Sequence, residues 1–347
     1  MEAEFLIDLA EEGYGINWWN SDLDDHRRIL IGDHLLLCSS SVSTNLLEAR
    51  LHLSELFDMW SREAHHKERM FDVDDDGNLV QSDDRTNILE ALLWGKMGEL
   101  HATGFIRAVA STLDCLASTI IGVLAIPMPI LTADFRKLRR WSTELVTPSS
   151  DLEVIQMEYF ALLESAIESA GPNEWVEWTI DYRDMAVHRA RRLVTGQVGI
   201  TSYILNQRGQ KIPKAEVTKD FPNSPRMSDV EALRGPEPSF VLTESGEETV
   251  RGVMESLLYL LRESTPPLLD IWGNRRDEPD LHYQPKKQWP RIPSVEKRKF
   301  EGYSPGTEPF NPKAIFAGEG LSIRLKAAAL LDEEYEKFWG SDDSISV

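Results

Sequence analysis

CLASTIIGVLAIPMPIL, residues 115–131, is the most apolar stretch of the chain and decides between a membrane-spanning helix and a buried one. Asp114 precedes it, and Pro127 and Pro129 interrupt it. Its unbroken part is therefore shorter than the ~20 residues that a spanning helix needs. We predict a buried core helix and no membrane partner. It belongs to a longer helical pattern that runs from about residue 85 to 126 and ends before Pro127.

Composition sets the broad class of the protein. The 347 residues are 41% hydrophobic and 27% charged, which is typical of a globular chain with a sizeable core. The formal net charge of -21 argues against sequence-independent binding of duplex nucleic acid, because such binding depends on many Lys and Arg contacts to phosphates. Only Cys38 and Cys115 occur, too few for a disulfide framework. The low cysteine count and an acidic N-terminus that does not resemble a secretory signal together indicate a cytoplasmic protein.

Apolar periodicity predicts further helices on both sides of the opening segment. These predicted helices span about 43–71, 132–146, 151–170, 172–195 and 246–263, with a short terminal helix at about 321–339. RILIGDHLLLC at 28–38 fits either a strand or a short buried helix. TSYILNQRGQKIPKAEV at 201–217 predicts a small hairpin, because β-prone residues precede a polar turn that contains glycine. Many prolines and glycines at 264–320 predict an extended arm.

These patterns predict a mainly α protein: an antiparallel helical bundle with a small β-hairpin insertion and an extended C-terminal arm. We expect residues 1–84 to form an N-terminal helical extension with an acidic loop. Residues 85–263 would form the bundle with its hairpin insertion at 201–217. Residues 264–347 would form a proline-rich arm and a terminal helix.

The acidic break DVDDDGNLVQSD at 72–83 resembles an EF-hand calcium loop. Asp72, Asp74 and Asp76 occupy loop positions 1, 3 and 5, where alternate carboxylates converge on a hard cation, and Asp83 stands at position 12. The usual bidentate Glu is missing from position 12, and aspartates beside glycine are also ordinary turn residues. We therefore favour an exposed acidic turn, with a calcium site as the alternative, and we predict no metal or other cofactor.

DYRDMAVHRARR at 181–192 gathers arginines and a histidine on one predicted helix. Asp184 and His188 are four residues apart and therefore face the same side, where a carboxylate can fix the tautomer of the imidazole. Arg183 has a long side chain that can reach toward that side, and Arg191 and Arg192 follow one turn later. Guanidinium groups hold a phosphate while an imidazole moves protons, so this set fits a phosphodiester site.

A structural interpretation of the same residues stays open. Asp184 could pair with Arg183 on a wet surface, where such a pair contributes little to stability. The arginine-to-histidine spacing also recurs elsewhere, at Arg27–His34, Arg28–His34, Arg275–His282 and Arg276–His282. The helix that carries both Arg183 and His188 distinguishes this copy of the spacing from the others.

YRDMAVHRARR resembles the Arg-x4–6-His motif of the HEPN superfamily, small α-helical domains that include metal-independent ribonucleases. In that family a polar residue commonly follows the arginine, and Asp184 holds that place here. GFIRAVASTLDCLAS at 104–118 is similar to the first core helix of the family. Arg107, Ser111 and Asp114 share one side of that helix, where they would support the site or serve as buried polar groups of the core.

The resemblance covers residues 85–263 and implies a cytoplasmic homodimer with a composite cleft. It implies an endoribonuclease in which His188 transfers protons, Arg183 clamps the phosphate and Asp184 positions both, without metal. The family also implies a toxin or phage-defence role with RNA as the substrate. The alternative is a non-catalytic helical module that binds a protein partner, which the net charge of -21 favours because an RNA substrate is a polyanion.

Overall fold

The computed structural model describes residues 25–73, 79–81, 85–128, 130–145, 147–188, 195–205, 211–222, 243–277 and 303. Within these residues the chain is mainly helical, which confirms the predicted class. The elements, in chain order, are α1 (Asp25–Glu68), β1 (Phe71–Val73), β2 (Leu79–Gln81), α2 (Arg85–Val123), α3 (Phe135–Glu144), α4 (Asp151–Ala170), α5 (Trp175–His188), β3 (Thr195–Leu205), β4 (Lys211–Pro222), β5 (Thr243–Ser245) and α6 (Gly246–Asp277).

The described residues belong to two compact units. The first unit takes the described parts of 1–41, 114–159 and 265–347, and the second takes those of 42–113 and 160–264. Several helices contribute to both units, because the divisions fall inside α1, α2, α4 and α6.

Helix α1 starts at Asp25, well before the predicted residue 43, so the stretch 28–38 is helical rather than extended. Every seventh residue from Leu35 to Glu63 is buried: Leu35, Val42, Ala49, Leu56 and Glu63. A seven-residue period keeps one stripe of a helix facing the interior. This regular burial explains how α1 stays helical over 44 residues although its sequence lacks a strong local period in its first third.

Helix α2 changes character along its length. Its first half is amphipathic, whereas nearly every side chain from Ala108 to Val123 is buried or half-buried. The predicted core helix is therefore observed. Among the described residues, α2 is the one helix long and apolar enough to meet the length and hydropathy criteria for a membrane span, and 78% of its apolar window is buried inside the protein.

The end of α2 is set by a left-handed residue rather than by Pro127 alone. Ala125 adopts a φ of 49°, a conformation that normally favours glycine. The backbone N–H of Ile126 then donates to the carbonyl of Ile121 over 3.1 Å, which satisfies a carbonyl of the last helical turn. The helix consequently stops at Val123, a few residues before the predicted end.

The acidic stretch between α1 and α2 contains a short antiparallel ladder. Strand β1 pairs with β2, and Asp72 lies opposite Val80. Asp74, Asp76 and Asp83 lie outside the described residues. α1 ends at Glu68 and α2 begins at Arg85, and the β1–β2 pair lies between them.

Side-chain caps fix the starts of α3 and α4, which lie within the predicted ranges of 132–146 and 151–170. The carboxylate of Asp134 accepts the backbone N–H of Lys137 over 2.8 Å and caps α3. At α4, the Ser150 hydroxyl accepts the N–H of Glu153, and the carboxylate of Glu153 reaches back to the N–H of Ser149. This reciprocal arrangement is close to a capping box.

Helix α5 is shorter than the predicted 172–195. It ends at His188, and strand β3 begins at Thr195. β3 pairs antiparallel with β4 from Thr195↔Asp220 to Leu205↔Lys211, and β4 pairs with β5 through Asp220↔Ser245. The β-branched residues near the start of β3 favour a strand over a further helical turn.

Helix α6 continues past residue 264, where the C-terminal arm was predicted to start. The helix runs on to Asp277 with Pro266 and Pro267 inside it. Each proline removes a helix hydrogen bond at a cost of about 3 kcal/mol. Beyond the prolines, Leu268 and Trp272 are 0% and 1% exposed, and the burial of these large side chains offsets that cost. The predicted terminal helix at 321–339 lies outside the described residues.

Candidate functional site

The buried face of α5 fixes how the Arg-Asp-x3-His segment is presented. Trp175 is 5% exposed, and its indole N–H donates to the carbonyl of Ile167 over 3.1 Å. One turn later, Trp178 stacks on Tyr182 with 5.3 Å between ring centroids. Phe221 of β4 meets the Tyr182 ring edge-on at 5.3 Å. These aromatic contacts set the rotation of α5, because side chains three and four residues apart share a helix face.

Arg183 and Asp184 lie away from that aromatic face. The Nε of Arg183 donates to Oδ1 of Asp184 over 2.8 Å. The Arg183 side chain is 21% exposed and the Asp184 side chain 42% exposed. The structure therefore holds the guanidinium in a defined position that remains open to solvent, as a phosphate-binding arginine requires.

His188 is the last residue of α5 and follows Asp184 by four positions, so the two lie on the same side of the helix backbone. Its side chain lies outside the described residues, and so do Arg191 and Arg192. Val187, which follows Arg183 by four residues and is 47% exposed, shows that the last turn of the helix is open to solvent on the side of Arg183.

The three predicted supporting residues of α2 have different surroundings. Arg107 forms an ion pair through its Nη2 with Glu48 of α1, and its side chain is 56% exposed. Asp114 accepts the backbone N–H of Phe135 over 3.1 Å, so it caps the start of α3. Ser111 is half-buried on α2. Arg107 and Ser111 belong to the second unit with α5, whereas Asp114 belongs to the first unit.

A histidine pair that sequence reasoning missed lies beside Arg107. Nδ1 of His52 and Nδ1 of His101 are 3.1 Å apart, so one ring donates to the other. Glu48 reaches toward the opposite edge of the His52 ring, with Oε1 3.7 Å from Nε2. Burial lowers the pKa of His52, the charge of His101 lowers it further, and Glu48 partly opposes both. The spacing of Glu48 and His52 on one predicted helix was the available signal, but a single sequence does not show which residue of α2 lies opposite.

A buried ion cluster lies elsewhere in the second unit. Oε1 of Glu63, whose side chain is 3% exposed, accepts from Nζ of both Lys67 and Lys219, each over 2.7 Å. Burial lowers the pKa of Lys219, while the hydrogen bond and the charge of Glu63 raise it. Both lysines pair with this carboxylate, so the cluster ties β4 to α1.

Within the part of the chain that the structure describes, no group of three or more His, Cys, Asp or Glu side chains is arranged to hold a metal ion. The candidate site on α5 consists of arginine, carboxylate and imidazole groups. No family model matches the chain, and comparisons with curated proteins and with solved structures give no match.

Proposed function

We propose that the protein is a metal-independent endoribonuclease of the HEPN type. The observation that carries the proposal is the Arg183–Asp184 ion pair on α5, one turn before His188 on the same side of the helix. The ion pair fixes the guanidinium of Arg183, the proposed phosphate-binding group, on the helix that ends at His188, the proposed proton-transfer residue. The nature of these three side chains supports transfer at a phosphodiester more than any other reaction class.

In the proposed mechanism, His188 removes the proton from the ribose 2′-hydroxyl, whose oxygen attacks the adjacent phosphorus. The bond from phosphorus to the 5′-oxygen breaks, and protonated imidazole supplies a proton to that leaving oxygen. Arg183 binds the phosphate oxygens and stabilises the charge that develops on them. Asp184 positions the guanidinium through the 2.8 Å hydrogen bond. Arg191 and Arg192 would add positive charge beside the substrate.

The proposal extends to the assembly and setting of the protein. Residues 85–263 would form an antiparallel HEPN-like bundle in which β3 and β4 are an insertion. Two copies would form one cleft in which the α5 segments face each other, and the homodimer would work in the cytoplasm as a toxin or phage-defence effector. Arg107 pairs with Glu48, and its side chain is 56% exposed in the same unit as α5. An exposed guanidinium in that unit supports a role for Arg107 beside the proposed site.

The test is the chemistry of the RNA ends that the purified protein produces in the presence of EDTA. Attack by the 2′-hydroxyl requires a 2′,3′-cyclic phosphate on the upstream fragment and a 5′-hydroxyl on the downstream fragment. Products with 5′-phosphates, or cleavage that EDTA abolishes, would overturn the mechanism.

A second candidate function is a non-catalytic helical module that binds a protein partner. A set of large leucines lies exposed on the second unit and supports it: Leu47 and Leu51 on α1, and Leu89, Leu92, Leu93 and Leu100 on α2, each 51–67% exposed. Those of α2 fall within one face about 100° wide. Exposed apolar side chains on one face are typical of interaction surfaces. The net charge of -21 is also easier to reconcile with a protein ligand than with RNA.

Light scattering and RNA cleavage by the wild type, with the double variant Leu89→Glu and Leu93→Glu as a stability control, separate the two candidates. A wild-type dimer that cleaves RNA supports the nuclease. A wild-type monomer without nuclease activity, together with an unchanged melting temperature in the double variant, supports the interaction module.

A further inference from the structure

The two cysteines of the chain meet in the first unit although 76 residues separate them in sequence. Cys38 lies on α1 and is 8% exposed, and Cys115 lies on α2 and is half-buried. Both are reduced thiols, and the side chains of Cys38 and Cys115 are joined by a hydrogen bond. The two helices pack closely here, because a Cβ on Gly122 of α2 would meet the side chain of Leu35 on α1, one turn before Cys38.

Polar groups surround the Cys38 sulfur. Nε2 of His34, one helical turn earlier on α1, lies 3.4 Å from Sγ of Cys38. Ser118, which is 4% exposed on α2, is a further hydrogen-bond partner of the same thiol. An imidazole and hydroxyl beside a thiol stabilise the thiolate, whereas a structural cysteine of a core has apolar neighbours.

These contacts make Cys38 the nucleophile of the pair. The hydrogen bond from Cys115 lowers the pKa of Cys38 most, burial opposes it, and the hydrogen bond and charge of His34 lower it further, to about 5. A pKa lowered in this direction favours the thiolate form of Cys38. A thiolate in contact with a second thiol is the arrangement that redox-sensitive proteins use for an attacking and a resolving cysteine.

We propose that Cys38 and Cys115 form a peroxide-sensitive pair that closes into an intramolecular disulfide joining α1 to α2. The Cys38 thiolate attacks one oxygen of hydrogen peroxide, the O–O bond breaks, and the products are Cys38 sulfenic acid and hydroxide. The Cys115 sulfur then attacks the sulfenic sulfur, the S–O bond breaks, and water leaves with the Cys115 proton. The two sulfurs lose two electrons to the peroxide, and a dithiol reductant reverses the change.

Cys38 and Cys115 lie in the first unit and Arg183 in the second, and the state of the thiols is measured without reference to RNA cleavage. The bond would close a covalent loop from residue 38 to residue 115 and so restrict the unfolded chain. Oxidation should therefore raise the melting temperature by several degrees, an effect that is lost on reduction.

The experiment treats the folded, reduced full-length chain with hydrogen peroxide and counts free thiols and intact mass. The expected result is the loss of both thiols and of two hydrogen atoms, in a monomeric chain on a non-reducing gel, with full recovery after dithiothreitol. In Cys115→Ser, Cys38 should stop at a sulfenic acid that dimedone traps. Retention of both thiols under conditions that oxidise the unfolded chain, or disulfides only between chains, would overturn the proposal.

His34→Ala tests the positioning role of His34 with a readout that folding alone would not change. The rate of iodoacetamide alkylation of Cys38 is measured against pH in a Cys115→Ser background, with and without His34→Ala. Removing His34 should move the midpoint of the profile to higher pH. An unchanged midpoint contradicts the role of His34, and the wild-type thiol count decides the disulfide even if a variant does not fold.

Discussion

Arg183 and Asp184 are neighbours in sequence, and the guanidinium of the first folds along α5 to donate through Nε to the carboxylate of the second over 2.8 Å. Adjacent residues of a helix point about 100° apart, so this contact requires the arginine to bend toward the side on which Asp184 lies. That is also the side of His188. The ion pair therefore draws the proposed phosphate-binding group toward the side of α5 on which His188 stands in the helix backbone.

Asp184→Asn should separate the catalytic role of this pair from its structural role. With Asp184 42% exposed, loss of its charge should lower the free energy of unfolding by less than about 1 kcal/mol. If Asp184 positions the guanidinium, RNA cleavage should fall by about tenfold or more. Chemical denaturation and initial cleavage rates measure the two effects.

Asp58→Asn on α1 is the matched control. Asp58 accepts from Nε of Arg62 at the same 2.8 Å, and both side chains are about half exposed. This variant should change neither quantity appreciably. Equal cleavage by Asp184→Asn and Asp58→Asn would show that the pair on α5 is only a surface ion pair.

Lys219→Met should be strongly destabilising, because it leaves the carboxylate of Glu63 buried with Lys67 as its remaining cationic partner. The Lys219 side chain is 13% exposed and that of Glu63 3%. Removing one partner of a buried charge costs about 3–5 kcal/mol when the remaining charge is uncompensated, and since Lys67 still pairs with Glu63 we expect a loss of about 3 kcal/mol. Urea unfolding of the variant measures the loss.

Lys96→Met serves as the comparison for that prediction. Lys96 pairs with Glu99 at 2.8 Å, but its side chain is 70% exposed, so the change should cost less than about 1 kcal/mol. If both lysine variants lose the same small amount, the Glu63 cluster does not hold β4 against α1.

Gly104→Ala should displace the His52 ring. A Cβ at residue 104 would lie 2.4 Å from Nε2 of His52, closer than any real contact allows. Overpacking of this kind costs about 1–3 kcal/mol, which exceeds the gain of about 1 kcal/mol from the better helix propensity of alanine. Thermal melting should show a lower midpoint for the variant, and the loss should disappear in a His52→Ala background.

Gly252→Ala in α6 measures how a glycine-to-alanine exchange changes stability when no neighbouring atom is displaced. Nothing lies within 4 Å of a Cβ at this position, so the variant should be more stable by up to about 1 kcal/mol. A loss of stability at both glycines would mean that the His52 contact is not the cause.

His52 should make stability depend on pH. Burial, with the charge of His101 next, lowers the pKa of His52 below its usual 6.5, so the unfolded chain binds the proton at higher pH than the folded chain does. The contribution of His52 is therefore complete above the unfolded value and is lost as the pH falls below it. Replacing His52 with Asn should flatten the change in melting temperature between about pH 7.5 and about pH 5.5. An unaltered slope would contradict this assignment.

Much of the helical layout was predictable from local sequence. The apolar period located α2 and α4; the predicted range of 151–170 matches α4, whereas α2 ends at Val123, before its predicted end at about residue 126. The left-handed Ala125 that ends α2 was not predictable, because the preference for this conformation lies with glycine.

Errors occurred where tertiary burial outweighed local preference. Pro266 and Pro267 indicated the end of a helix, yet burial of Leu268 and Trp272 carries α6 through them. The His52–His101 contact was missed because two helices must first be aligned before their facing residues are known. The Arg183–Asp184 pair, in contrast, is local, and both of its readings were visible in the sequence.

The rate of RNA cleavage in EDTA by three proteins tests the central claim most directly: the wild type, His188→Ala, and His65→Ala as an exposed histidine control on α1. We expect the wild type and His65→Ala to cleave at similar rates, and His188→Ala to be slower by about 100-fold or more, since general acid–base catalysis contributes that much. Equal rates in the wild type and His188→Ala, or no cleavage by either, would contradict it.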